Sequence, residues 1–497
     1  MTPRALAALL AAVKLTLQLA WMRPYGVVRD ELYYLACARH LDFGYVDHPP
    51  LSIAVLRGWM VLFGENLSMR VVPAVCGALT VLVSCLLAIE LGGGAIAVVL
   101  TALCLISGPV YLGMNHYFSM NSIDILLWPA AMLMVLRAVK GGALRDWVLA
   151  GVLLGLGLEN KISVLWLGAG LGLALLASPD RAVLKTKGPW VCFAIAVALF
   201  VPHLAWQVTH GFPTAEFARN ALEHKYVRQP PWAFVAEAAG QVNPATSLVW
   251  LPGFALALKK GGRLRLVAVT FLAVAALLIA TRAKPEYLAA GFPLAIALGG
   301  VVVGRWCAQR RWLTAVFLLP VLVMGAIAAP FALPVLSQDR FIDYMAQLGV
   351  KAKSAERSGI GVLPQNYADT NGWEELTALV ERAAERLTPE ERPGAVVMVE
   401  TNYGDAGALQ YFGRSLPPVV CGHNNYWLWG PGNGDGKALI VVGGKRDELA
   451  PYFASLEQTG ETDCPRCMPY ENHLPIWLGR GLKQPLASLW AEQKYYQ

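Results

Sequence analysis

The chain has 497 residues, of which 56% are hydrophobic and only 15% charged, and its mean hydropathy is +0.47. Soluble chains carry about 25% charged residues and rarely build one core beyond roughly 250–300 residues, so an ordinary cytosolic enzyme, a disordered chain and a disulfide-rich secreted scaffold are excluded. What is left is a polytopic membrane protein, and its net charge of +7 has to be located before it is read as a nucleic-acid surface.

A bilayer is crossed by about 20 apolar residues, with runs of roughly 17–25 acceptable. Such runs predict eleven spans, at 5–22, 71–90, 95–112, 120–136, 146–160, 162–178, 189–208, 245–258, 265–281, 286–304 and 312–332. Four connections are basic: Arg137, Lys140 and Arg145; Arg181, Lys185 and Lys187; Lys259, Lys260, Arg263 and Arg265; Arg305, Arg310 and Arg311. Cytoplasmic loops are enriched in Lys and Arg, which predicts all four inside, the N-terminus inside, and the chain after residue 332 outside. Most of the basic excess is then topological, and no nucleic-acid partner is expected. Residues 5–22 resemble a signal peptide's apolar region, yet no small-x-small site precedes Trp21 and Met22, which predicts a retained first helix.

This divides the chain into a membrane domain, 1–332, with external loops 23–70 and 209–244, and an external domain, 333–497. From about residue 335 Glu, Asp, Asn and Gly rise. Residues 373–387 read as an amphipathic helix, with Trp373, Leu376, Leu379, Val380, Ala383 and Leu387 on one face. The runs 395–400 and 438–442 read as buried strands, with Gly-rich turns around 430–436. The expected external domain is therefore soluble and α/β.

The first external stretch opens with Asp30-Glu31-Leu32-Tyr33-Tyr34 and continues to Gly44-Tyr45-Val46-Asp47-His48-Pro49-Pro50, then Arg57 and Arg70. Acids directly after a first span sit at the membrane–water boundary, where a carboxylate can take the proton of an acceptor hydroxyl or amine. The same acids can be solvated residues at a helix end, or can help hold a divalent cation, though two acids do not specify one. Asp124, in Met120-Asn121-Ser122-Ile123-Asp124, falls near the outer end of a span, where ionisable groups are costly and usually face a partner or cavity; its plain reading is a helix cap. Lys161 and Lys284 map to the outer side against the positive-inside tendency, which suits an anionic lipid phosphate. Lys225 and Arg228, in Glu223-His224-Lys225-Tyr226-Val227-Arg228-Gln229-Pro230-Pro231-Trp232, add bases and aromatics that suit either phosphate or an interfacial anchor.

On these residues the chain resembles the bacterial branch of glycosyltransferase family 39, the protein-mannosyltransferase-like GT-C enzymes that include the lipid A aminoarabinose transferases. The matching pieces are Asp30-Glu31-x-Tyr33-Tyr34, Gly44-Tyr45-x-Asp47-His48-Pro49-Pro50-Leu51, Met120-Asn121-Ser122-Ile123-Asp124, Gly155-Leu156-Gly157-x3-Lys161 and Lys284-Pro285-Glu286-Tyr287. The C-terminal part resembles the extracytoplasmic domain of some members, through Tyr367-Ala368-Asp369-x2-Gly372-Trp373, Asn402-Tyr403-Gly404-Asp405 and His423-Asn424-x-Tyr426. The resemblance implies a sugar carried on a polyprenyl phosphate (undecaprenyl phosphate in bacteria) and transferred with inversion to an extracytoplasmic acceptor such as lipid A, a glycan or a protein. The setting is the bacterial inner membrane and its lipids. Asp30 is then the base with Glu31 beside it, Asp124 a second functional acid, and Tyr287 a residue near the donor. His48, Arg57, Lys161, Lys225, Arg228 and Lys284 are the candidates for the donor phosphate. Tyr33, Tyr34, Asn402, Asp405, His423 and Asn424 are acceptor candidates, the last four equally able to satisfy buried backbone groups. The aminoarabinose transferases have Lys before the Pro-Pro pair where this chain has His48, a weaker phosphate partner.

No cofactor is assigned, a divalent cation stays open, and no metal ligand set is named. Cys464 and Cys467 are expected to form a disulfide in an oxidising compartment rather than a zinc site with His473; Cys421 is the alternative partner. Two rival classes are a lipid transporter or flippase, because membrane acids and bases also mark ion pathways, and a scaffold that works through its external domain.

Overall fold

The computed structural model describes every residue except 23–24, 226–228 and 353–358, with the side chains of 225 and 260 also outside the description. The chain forms two compact units: residues 1–22, 48–208 and 228–336 in one, and 23–47, 209–227 and 337–497 in the other. The sequence division at 332 differs in two stretches, since 23–47 and 209–227 group with the C-terminal part.

The first unit is helical, and each predicted apolar run falls on a helix. Among the described residues seven helices are long and apolar enough to cross a membrane, or eight if Val164–Leu176 and Pro179–Lys185, bent by 111°, count as one span. The chain is thus a multi-pass membrane protein. The remaining runs form helices too short for that count: Ala95–Ile106, Leu144–Asn160 and Ser247–Lys260, of 12, 17 and 14 residues. Local punctuation acts on two of the runs: Ser107-Gly108-Pro109 interrupts 95–112, and Ser178-Pro179 ends 162–178. Leu51–Phe63, which the sequence reading left in an external loop, is a further apolar helix.

Phe292–Gln309 is the central helix, with every residue from 292 to 304 buried. Its glycines make that possible. A Cβ on Gly299 would meet the Val249 carbonyl at 2.3 Å, and one on Gly300 would meet Thr101 Oγ1 at 2.5 Å, so neighbouring backbones approach as small residues allow in membranes. At one end of the bundle Glu90 gathers Arg137 (3.8 Å), Lys140 (3.0 Å) and Arg263 (2.9 Å). Two of the four basic clusters therefore share an end, as the charge reading requires.

The second unit is built on a five-stranded sheet: β1 (Val396–Val399), β2 (Val419–Cys421), β3 (Ala438–Val442), β4 (Phe453–Glu461) and β5 (Pro475–Leu482), in the order β2-β1-β3-β5-β4. β2, β1 and β3 are parallel, and β5 and β4 extend the sheet antiparallel. β1 and β3 are buried throughout, as unbroken Val, Ile and Leu runs require when both faces are covered. The amphipathic helix forms over Trp373–Glu385. Helix Tyr403–Phe412, which connects β1 to β2, carries Gly404 and Gly407 one turn apart, and there helix Arg29–Arg39 packs closely: a Cβ on Gly407 would lie 2.8 Å from Leu32 Cβ.

Candidate active site

Helix Arg29–Arg39 opens with the two adjacent acids, and helical geometry separates their roles. Glu31, at the third position, turns back so that its Oε2 accepts from the Val28 N–H at 3.0 Å, and it is fully buried; this is the acidic half of a capping box. Asp30 points elsewhere. Its Oδ1 accepts a hydrogen bond from the Tyr403 hydroxyl at 2.9 Å and lies 3.8 Å from Arg29 Nε, while its side chain stays 45% exposed. Arg29 reaches Asp369 at 3.5 Å, hydrogen-bonds the Tyr470 hydroxyl and lies 5.7 Å from the centre of the Tyr403 ring. Burial opposes its charge, but Asp369, Tyr403, Tyr470 and Asp30 together outweigh this and hold the guanidinium well above its ordinary range.

One turn on, Tyr33 stacks on Tyr403 (ring centres 4.6 Å apart) and donates its hydroxyl hydrogen to Asp47 at 2.9 Å. The Asn425 amide oxygen accepts from the Val46 N–H at 2.7 Å. Tyr34 is buried with its ring edge toward Tyr33. Asp30 thus sits on a buried phenol and amide network. Arg29, Asp47, Asp369, Tyr403 and Asn425 carry no role in the sequence reading, although all five stand inside or next to the quoted motifs.

The other acceptor candidates are engaged within the unit. Asn402 caps helix Tyr403–Phe412, accepting from Gly404 N at 2.7 Å, and its amide donates to Asp405 Oδ2 at 3.0 Å. Thr401 also donates to Asp405, which is buried. His423 Nδ1 accepts from Tyr403 N at 3.2 Å, which leaves Nε2 to donate to the main-chain oxygen of Gln497 at 2.8 Å. Asn424 accepts from Gln497 N at 3.1 Å and donates its own N–H to Tyr495 O at 2.9 Å. Asn402 therefore starts a helix, while His423 and Asn424 hold the residues around 495–497. Burial raises the Asp405 carboxyl to about 6. Burial, with Asp369 and Asp405 nearby, raises Glu471 well above the carboxylate range.

In the membrane unit three separate motifs converge. Asp124 is buried in helix Met120–Gly141, accepting from Trp128 Nε1 at 2.9 Å and from Ser163 Oγ at 3.1 Å. Lys161, just past helix Leu144–Asn160, donates to Asn121 Oδ1 at 2.6 Å and lies 4.3 Å over the Tyr287 ring. Lys284 is 4.0 Å from Glu286 and mostly buried. The structure brings Asp124, Lys161, Lys284 and Tyr287 into one neighbourhood. His48 is fully buried with Nδ1 3.0 Å from the Pro49 oxygen, and Arg57 lies on an exposed helix face. Arg228 and the side chain of Lys225 lie outside the described residues.

Cys464 and Cys467 form a disulfide, and Cys421 is free and buried. Among the described residues no three His, Cys, Asp or Glu side chains are grouped so as to hold a metal ion.

Residues 47–206 match the model of the dolichyl-phosphate-mannose-protein mannosyltransferase family. The fold matches ArnT from Cupriavidus metallidurans in the apo state with a TM-score of 0.64 at 16% identity, over 95% of this chain and 97% of that one. The chain has the GT-C fold, with its protein-mannosyltransferase-like stretch at residues 47–206. ArnT of the same organism bound to undecaprenyl phosphate matches at TM-score 0.61 and 15% identity, over 95% and 97% of the two chains. The arabinofuranosyltransferase AftD from mycobacteria matches at 0.51 and 15%, over 95% of this chain and 41% of that one. No curated protein matches it by sequence.

Proposed function

We propose that this protein is a membrane glycosyltransferase that takes its sugar from a polyprenyl-phosphate donor and transfers it, with inversion, to an extracytoplasmic acceptor, with Asp30 as the base. The observation that carries the reading is that Asp30 is both held and open: Tyr403 anchors one oxygen at 2.9 Å while 45% of the side chain remains exposed. Glu31, Asp369, Asp405 and Glu471 are buried, so these four acids are poorly placed to reach an acceptor. A base must come within hydrogen-bond reach of the proton it removes.

In the proposed step the acceptor oxygen attacks the anomeric carbon opposite the phosphate. The new C–O bond forms as the bond to the phosphate oxygen breaks, Asp30 takes the acceptor's proton, and the leaving polyprenyl phosphate keeps the electron pair. Lys161 and Lys284, with Tyr287 beside them, are the proposed phosphate holders; fixed positive charge favours the leaving phosphate. His48, Arg57, Lys225 and Arg228 are further candidates, and Asp124 is a second acid that orients this neighbourhood. The shared fold with an ArnT that binds undecaprenyl phosphate supports the donor class. Lipid A, a glycan or a protein hydroxyl fits as acceptor. The proposed setting is a bacterial inner membrane with the N-terminus cytoplasmic and residues 333–497 outside.

Membranes carrying the protein, supplied with radiolabelled undecaprenyl-phosphate sugar, test the reading. Asp30→Asn should cut transfer by about 10²–10⁴-fold while the protein stays folded and inserted. Full transfer by that variant would remove Asp30 from the role, and donor movement across the bilayer without transfer would favour a flippase.

A further inference from the structure

The C-terminal part of the chain reaches the proposed base through one hydroxyl. Tyr403 begins the helix that follows β1, and that helix is fixed at its start by the Asn402 cap, whose amide oxygen accepts from Gly404 N at 2.7 Å. The Tyr403 backbone is fixed as well, its N–H donating to His423 Nδ1 at 3.2 Å. Its ring lies between Tyr33, 4.6 Å away, and His423, 4.7 Å away. Backbone and ring are thus both set before the hydroxyl meets Asp30 Oδ1 at 2.9 Å. The phenol stays protonated because burial, and then Asp30 itself, oppose its ionisation, so it acts as a donor. An aspartate otherwise rotates freely about its side-chain bonds when half exposed, and ordering it costs conformational entropy.

We propose that Tyr403 is a positioning residue for the transfer reaction, orienting the Asp30 carboxylate so that its other oxygen faces the acceptor. The inference rests on the reading of Asp30 as the base. It also gives the C-terminal part a direct task in the chemistry, apart from any binding of acceptor. The groups that face Asp30 are Arg29 on its own helix and Tyr403 from the packed helix, with Asp369 and Tyr470 beyond Arg29.

Tyr403→Phe removes the hydroxyl and keeps the stacked ring. In the full-length protein, with undecaprenyl-phosphate sugar as donor, kcat should fall about 10-fold with the donor KM within twofold of wild type. Replacing Tyr403 with 3-fluorotyrosine, which keeps both the ring and the hydroxyl donor, should hold kcat within about twofold of wild type, and this guards against a folding defect in the phenylalanine variant. A wild-type kcat in the phenylalanine variant, with Asp30→Asn inactive, would overturn the inference alone. An active Asp30→Asn would overturn the reading beneath it.

Discussion

Leu32 and Gly407 touch across the two helices that carry Asp30 and Tyr403: a Cβ on Gly407 would lie 2.8 Å from Leu32 Cβ and 3.0 Å from its backbone carbonyl carbon. The nearest atoms include backbone, so the clash is not relieved by a side-chain rotation. Gly407→Ala should therefore push helix Arg29–Arg39 off its seat, at a cost of about 1–3 kcal/mol, as for other overpacked contacts. Activity should fall further than stability does, because the displaced helix holds Asp30. Thermal unfolding measured alongside transfer checks this, and a variant with wild-type melting and wild-type kcat would refute it.

Asp124 accepts two hydrogen bonds, from the Trp128 indole and the Ser163 hydroxyl. Asp124→Ala should leave both donors buried without an acceptor and destabilise the protein by about 2–4 kcal/mol, roughly 1–3 for each group with some relief from relaxation. Asp124→Asn keeps one acceptor oxygen and should lose much less. The comparison is made by thermal melting in detergent; equal losses in the two variants would show that the hydrogen bonds are not what Asp124 contributes.

Much of the membrane unit was legible because apolar length is a local property: every predicted run became a helix, and only the lengths differed where Gly, Ser and Pro cut in. The external unit was legible in part for the same reason. The continuous apolar runs of β1 and β3 and the face of Trp373–Glu385 announce themselves, whereas β4 is a largely exposed strand, β2 has three residues, and β5 carries Gly479 and Gly481. Asp30 and Asp124 stood out because a charge next to an apolar run is costly. The tasks of His423 and Asn424 were hidden because the residues they hold lie more than 70 positions along the chain. That Glu31 and Asp30 do different things was hidden too, since only a helix start at Arg29 turns one acid inward.

Glu471 makes stability depend on pH in a definite direction. Both its carboxylate oxygens are buried without a hydrogen-bond partner among the described residues, and burial raises its folded value well above the ordinary 4.5. Below about pH 4.5 the folded and unfolded states both hold the proton. Above that the unfolded chain releases it first, so stability falls as pH rises until the folded carboxyl also ionises. Glu471→Gln has no such loss. Its melting temperature should match wild type near pH 4 and exceed it increasingly toward neutral pH. A constant offset at all pH values would contradict this.

Lys161 tests the donor side of the reading. Its ammonium donates to Asn121 at 2.6 Å and rests over the Tyr287 ring at 4.3 Å, so it is held at a defined place in the membrane unit. A cation fixed that way loses little freedom on meeting a phosphate, and its removal should be felt in donor binding first. Lys161→Met preserves most of the side chain's apolar bulk and deletes the charge. It should raise the donor KM by about 10-fold, equivalent to about 1.4 kcal/mol, while Tyr287→Phe, which keeps the ring face under the ammonium, should stay within about twofold of wild type. Initial rates over a range of undecaprenyl-phosphate sugar concentrations separate the two. A Lys161→Met protein with normal donor KM and a lowered melting temperature would mean that the lysine braces the helix end and does not hold the phosphate.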